Sequence, residues 1–147
     1  MTDLSKGIVS FDELIITPQT KKEDLLNSFG EKLSAASSDR SIKFKKSFFV
    51  DGFEFSCWFF FDENYKISSI QLTPYIDYKS EEWDRTGQQA ERRKFCDKWL
   101  FERLGEPHQS TTNVTHYYFN IVEVYSLSHF DLREGADAGY IIIEFKN

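Results

Sequence analysis

The sequence predicts an α+β fold built from two units. Each is a helix followed by an antiparallel meander, and the meanders form one continuous sheet with the helices on one face. Three observations predict it. Leu25-Leu26-Asn27-Ser28-Phe29-Gly30-Glu31 is echoed by Leu100-Phe101-Glu102-Arg103-Leu104-Gly105-Glu106. In both, an amphipathic run meets glycine, which accepts the positive φ often needed just past a helix end. Strand-like sequence follows each stop, and Asp51-Gly52 between two such runs is a two-residue hairpin signal.

Each element has its own justification. Ile8 to Ile16 mixes apolar and acidic residues and reads as a first strand or an irregular lead-in, ended by Thr17-Pro18-Gln19-Thr20. Thr20 and Glu23 have capping-box spacing, so a helix runs from about Lys21 to Phe29 with Leu25, Leu26 and Phe29 inward. The Ser- and Lys-rich stretch 31–41 is a connection. Phe44 to Val50 is a strand, and Phe53 to Phe61 its hairpin partner. The latter turns apolar on both faces at Trp58-Phe59-Phe60-Phe61, as in a strand that is central or covered on both sides. After the turn Asp62-Glu63-Asn64-Tyr65, Lys66 to Leu72 alternates as a third strand.

Thr73 to Trp83 is the boundary between the units, so one domain of residues 1–147 divides into pseudo-repeats 8–74 and 84–147. A helix runs from about Thr86 or Gly87 to Leu104 with Ala90, Phe95, Cys96, Trp99, Leu100 and Leu104 buried, and Gly105-Glu106-Pro107 stops it, since proline cannot continue a helix. Strands at Thr115–Phe119, Ile121–Phe130 and Tyr140–Phe145 follow, with a polar loop from Asp131 to Gly139.

Composition narrows the function classes. The chain has 147 residues, 40% apolar and 29% charged, the profile of a globular protein with an ordinary core. A net charge of −6 argues against a nucleic-acid backbone binder and suits a basic protein partner. No apolar run reaches the roughly 20 residues of a membrane span. The opening Met1-Thr2-Asp3-Leu4-Ser5-Lys6-Gly7 has no apolar signal core, so the expected location is the cytoplasm. Cys57 and Cys96 are expected as buried, reduced thiols. With 15 Phe, 7 Tyr and 3 Trp, a chain this size is expected to leave some rings exposed on a binding face.

The segment Thr20-x-x-Glu23-x-Leu25-Leu26-x-x-Phe29-Gly30-Glu31, with the strand pair Trp58-to-Phe61 and Ile67-to-Ile70, resembles the α-β unit of the beta-lactamase-inhibitory-protein-like fold and of small bacterial outer-membrane assembly lipoproteins. Leu104-Gly105-Glu106-Pro107 matches the stop of those families more closely. The resemblance implies a protein-binding scaffold. The chain departs from the secreted members in having no lipid-attachment cysteine and no paired disulfides. Its small acidic build also resembles bacterial immunity proteins that neutralise a toxin domain.

No pattern of catalytic chemistry stands out, so no catalytic, cofactor or metal residue is assigned. His108, His116 and His129 form no ligand motif, although His116 and His129 could meet across neighbouring strands. Lys43, Lys45 and Lys46 read as guards of an edge strand. The residues expected to bind a partner are Tyr75, Asp77, Tyr78, Glu81, Glu82, Trp83 and Asp84 in the boundary segment, with Asp131, Glu134 and Asp137 in the late loop. Tyr and Trp beside carboxylates suit a basic protein surface. The function expected is a cytoplasmic immunity or inhibitor protein that occludes a basic toxin domain, by preference a nuclease. Alternatives are a small-ligand protein or enzyme using the sheet surface, and a structural adaptor.

Overall fold

The computed structural model describes residues 2–11, 14–29, 38–43, 47–74, 85–131 and 136–146, with backbone alone at 85–91, 128–131 and 136–138. After a 3-10 turn at Leu4–Lys6 come β1 (Val9–Ser10), β2 (Ile15–Ile16), α1 (Lys22–Phe29), β3 (Ser41–Lys43), β4 (Phe48–Val50), β5 (Phe53–Phe61) and β6 (Ile67–Pro74). The second half holds α2 (Arg85–Leu104), β7 (Gln109–Ser110), β8 (Val114–Tyr118), β9 (Val122–Asp131) and β10 (Ala136–Phe145). β1 and β2 make a small ribbon. The other strands form one eight-stranded antiparallel sheet in the order β3-β5-β6-β10-β9-β8-β7, with β4 beside β5. The fold is α+β, as the sequence predicts.

Period-two alternation decides which face is covered. Ile42, Phe59, Ile70, Ile143, Val124 and Tyr117 are successive register partners across six strands, and all are buried. Phe48 and Phe55, also register partners, share that face. Phe29 of α1 meets Phe48 edge-on at 5.2 Å, and Trp99 of α2 meets Phe55 at 5.3 Å. Both helices therefore lie on the same side of the sheet. The β1–β2 ribbon joins them there through Phe11, which touches Phe48 and Phe59.

The turns follow their chemistry. Asp51 and Gly52 take φ of 51° and 81°, the two positive values a type I′ hairpin requires. Gly105 ends α2 at φ 77° and donates its N–H to the Phe101 carbonyl at 2.9 Å, a left-handed cap that satisfies an orphan acceptor. Gly30 lies outside the described residues.

Several expectations are corrected. The Thr20 hydroxyl accepts from the Thr17 N–H, and the start of α1 is closed by Asp24, whose carboxylate accepts the Lys21 N–H at 2.9 Å. Leu26 faces solvent, because the buried stripe of α1 runs through Leu25 and Phe29. Part of the stretch expected as a connection is strand β3, paired to the far end of β5. Positions 131 and 136–139 of the expected loop belong to β9 and β10, paired from Asp131↔Ala136 onward. His116 opposes Tyr125, four residues from His129 on β9, so those histidines stand about 13 Å apart along the strand. Of the two readings of β5, central or covered on both sides, the first holds: it lies between β6 on one side and β3 and β4 on the other, and neither α1 nor α2 covers its second face.

Candidate functional site

Among the described residues neither α1 nor α2 covers the second face of the sheet, and this helix-free face is the candidate site. The residues alternating with the buried row form a second row across all seven strands of the main path: Lys43, Trp58, Gln71, Ile142, Tyr125, His116 and Gln109. A parallel row runs Ser41, Phe60, Ser69, Glu144, Glu123 and Tyr118. Strand backbones fix these positions, so the rings are presented on a rigid surface rather than on loops. Trp58 is 36% and Tyr118 41% exposed.

The two ends of this face differ in chemistry. At the β3–β5 end, Trp58 stacks on Phe60 with ring centroids 5.2 Å apart, and the Lys43 ammonium lies 5.4 Å from the indole centre. Lys43, Ser56, Trp58, Gln71 and Thr73 line a shallow depression of about 280 Å³. At the β8–β9 end, His116 stacks on Tyr118 at 4.1 Å and lies 4.9 Å from the Tyr125 ring. The Tyr118 hydroxyl donates to Gln109 Oε1 at 2.9 Å.

Between those ends two carboxylates face each other. Glu123 and Glu144 are direct register partners, an arrangement in which like charges repel. Lys146 Nζ, 3.5 Å from Glu123, relieves part of that repulsion, and the Tyr125 hydroxyl donates to Glu144 at 2.9 Å. Burial, and then the hydrogen bond to Glu144 and the charges of Glu144 and Glu123, push the Tyr125 phenol above its ordinary range. It is therefore a neutral donor at physiological pH.

The structure places the expected partner-binding residues as follows. Tyr75, Asp77, Tyr78, Glu81, Glu82, Trp83, Asp84 and Glu134 lie outside the described residues. Asp131 and Asp137 are described as backbone, at the paired ends of β9 and β10. β6 ends and β10 begins at the same end of the sheet, since Leu72 pairs with Ile141. The face residues Trp58, Glu123, Tyr125 and Glu144 were not singled out by sequence reasoning. Their signal was the alternation itself: Glu123, Tyr125 and Leu127 interleave with the buried Val122, Val124 and Ser126.

Burial raises the thiol pKa of both Cys57 and Cys96, which suits packing rather than nucleophilic attack. Among the described residues, no group of three or more His, Cys, Asp or Glu side chains could hold a metal ion. Among those residues, no helix is long and apolar enough to cross a membrane.

An eight-stranded antiparallel sheet backed on one face by two helices defines the class of protein. Within it, the chain is similar to the crystal structure of a DUF4309 family protein, YjgB, from Bacillus subtilis, with a TM-score of 0.51. That likeness covers 97% of this chain and 90% of the other at 16% sequence identity, and it concerns fold alone. No protein-family profile and no curated protein sequence matches the chain.

Proposed function

We propose that this chain is an immunity-type inhibitor that binds a basic toxin domain, by preference a nuclease, in the cytoplasm and occludes it with the helix-free face of its sheet. The observation that carries this reading is the row from Lys43 to Gln109, with Trp58, Ile142 and Tyr125 at its centre and neither α1 nor α2 over it. Aromatic rings on a rigid wall supply desolvated contact area at low entropic cost. Glu123 and Glu144 supply the anionic centre, standing in for a substrate phosphate against basic side chains. A partner's Arg or Lys placed there relieves the repulsion between the two carboxylates.

The two halves are read as helix-then-meander units of one duplicated design, 8–74 and 84–147. The antiparallel pairing of β6 with β10, the last strand of each half, supports this. The residues of 75–84 and 131–137 expected from the sequence to bind a partner are proposed to contact the same toxin domain.

Co-expression with the product of the neighbouring gene tests the reading. The expected result is a stoichiometric complex and protection from that product's toxicity. Tyr125→Ala and Glu144→Lys should each weaken the complex at least about tenfold, the loss of one good contact. If the neighbour neither binds nor is neutralised, the reading falls. The depression over Trp58 favours a second reading, a small-ligand site. That reading expects a saturable change in Trp58 fluorescence with a small solute and no protein partner.

A further inference from the structure

We infer that Arg93, on the helix-bearing side of the sheet, is a positioning residue for the β8 end of the opposite face. It holds the β7–β8 turn and, through that turn, the cluster of Gln109, Tyr118 and His116. The inference rests on the reading of the helix-free face as a binding surface and says what fixes its shape.

The observation begins with β7. It is two residues long, lies at the edge of the sheet, and both Gln109 and Ser110 are exposed. A strand so short and so exposed has little burial of its own to keep it from fraying. It is gripped instead from α2. Arg93 Nη1–H donates to the Thr112 carbonyl at 3.0 Å and Nη2–H to the Thr115 hydroxyl at 2.8 Å, with the Thr111 carbonyl 3.5 Å away. Its Nε–H donates to the carboxylate of Asp97, about one helical turn further along α2, at 3.1 Å. The Arg93 side chain is only 12% exposed, so water competes little with these charge-assisted bonds.

The hairpin carries this grip to the other face. Its turn closes through the Thr111 N–H and the Val114 carbonyl at 2.7 Å, and Ser110 then pairs with Thr115 and Gln109 with His116. Thr115 faces the helices, so by the alternation of β8 His116 and Tyr118 face away from them. Gln109 Oε1 accepts the Tyr118 hydroxyl at 2.9 Å, and His108 Nδ1, just before β7, accepts the Tyr118 N–H at 2.8 Å. Tyr118 in turn carries the His116 ring, stacked at 4.1 Å. Once Arg93 lets go of the turn, β7 loses an anchor, Gln109 and His108 hold Tyr118 less firmly, and the stack loosens. The geometry of the rings offered to a partner is thus set by a guanidinium on the far side of the sheet.

NMR of the full chain, with no partner present, tests this. Stacking puts the His116 ring protons in the shielding region of the Tyr118 ring, so in the wild type they resonate upfield of an unstacked histidine. Arg93→Ala should move them back toward unstacked values. It should also speed hydrogen exchange of the Thr111, Val114 and Tyr118 amides at least about tenfold relative to amides of β5 and β6, the effect of losing one charge-assisted bond. Arg93→Lys keeps a charge beside Asp97 without the planar fork, so it should shift both readouts the same way by less. It carries the test if Arg93→Ala does not fold. Arg103→Ala is the control, because Arg103 grips the β4–β5 turn from the same helix through Asp51. It should lower stability and leave the His116 shifts at their wild-type values. If Arg93 merely adds to overall stability, its substitution lowers protection evenly across the sheet and leaves the folded-state His116 shifts unchanged, and the inference falls. It falls equally if Arg103→Ala moves those shifts as far as Arg93→Ala does. No toxin enters the measurement, so either result stands whether or not the proposed partner is found.

Discussion

Arg103 shows how one side chain joins two parts of the fold. Its Nε–H donates to Asp51 Oδ2 at 3.1 Å and its Nη1–H to the Trp99 carbonyl at 3.0 Å. The guanidinium also lies 3.9 Å from the Trp99 ring centre and 5.6 Å from that of Phe53. It thereby clamps the β4–β5 turn to the last turn of α2. Arg103→Ala should cost about 1–3 kcal/mol in urea unfolding, the range for a partly buried charged hydrogen bond with its packing. Arg103→Lys should recover only part of that, because an ammonium cannot reproduce the planar fork. Gly105 is a conformational case. A Cβ there would meet nothing within 4 Å, so the whole cost of Gly105→Ala comes from its φ of 77°. The expected loss is about 1–2 kcal/mol, and Gly105→Asn should lose less, since Asn tolerates the left-handed region. Equal losses for both would show that space, not φ, governs the position.

At the scale of elements, the link between helix and sheet is concentrated at Phe55. It is fully buried, lies opposite Phe48 and meets Phe95 and Trp99 edge-on. Phe55→Ala should cost about 3–5 kcal/mol, the range for emptying a buried aromatic site. Phe49→Ala, on the neighbouring strand and 47% exposed, should change stability by about 0.5 kcal/mol or less. Chemical denaturation of the pair separates core from surface on two adjacent strands. Local signals of this kind made the β4–β5 hairpin and the end of α2 legible in the sequence: Asp51-Gly52 needs no tertiary context, and neither does Gly105-Glu106-Pro107. What failed depended on partners far along the chain. β7 is two residues long and exists only because His116 and Thr115 of β8 pair with it. The start of β10 reads as a polar loop and is a strand because β9 lies beside it. The site was hidden for a related reason. The strand of Trp58 and Phe60 reads as central or covered on both sides, and the sequence alone cannot tell a covered second face from an open one. Only the placement of both helices on the Phe55 side distinguishes them.

At the scale of the whole molecule, the main sheet has one face sealed by α1 and α2 and one that, among the described residues, neither helix covers, and the sealed face carries a consequence for alkaline stability. Cys57 and Cys96 are buried within it, and burial raises both thiol pKa values from an ordinary 9.0. Above pH 9.0 the unfolded chain releases these protons while the folded chain retains them, so the folded state binds more protons and stability falls as pH rises. Below that pH both states hold the protons, and the thiols contribute no slope. Each thiol should lower the unfolding free energy by about 1.4 kcal/mol per pH unit in this window. Tyr117, Tyr125 and Tyr140, whose phenols burial also raises from 10.0, add to the same slope at higher pH. Urea unfolding under reducing conditions, across the two or so pH units on either side of the ordinary thiol pKa, measures the effect. Cys96→Ala will be less stable throughout because it leaves a void in the core that holds Trp99 and Leu100, but its free energy should fall less steeply with pH by about 1.4 kcal/mol per unit. The slope rather than the offset is diagnostic. Parallel curves for wild type and variant would mean that the Cys96 thiol reaches solvent in the folded protein, and that the helix-bearing face is less tightly closed than its packing implies.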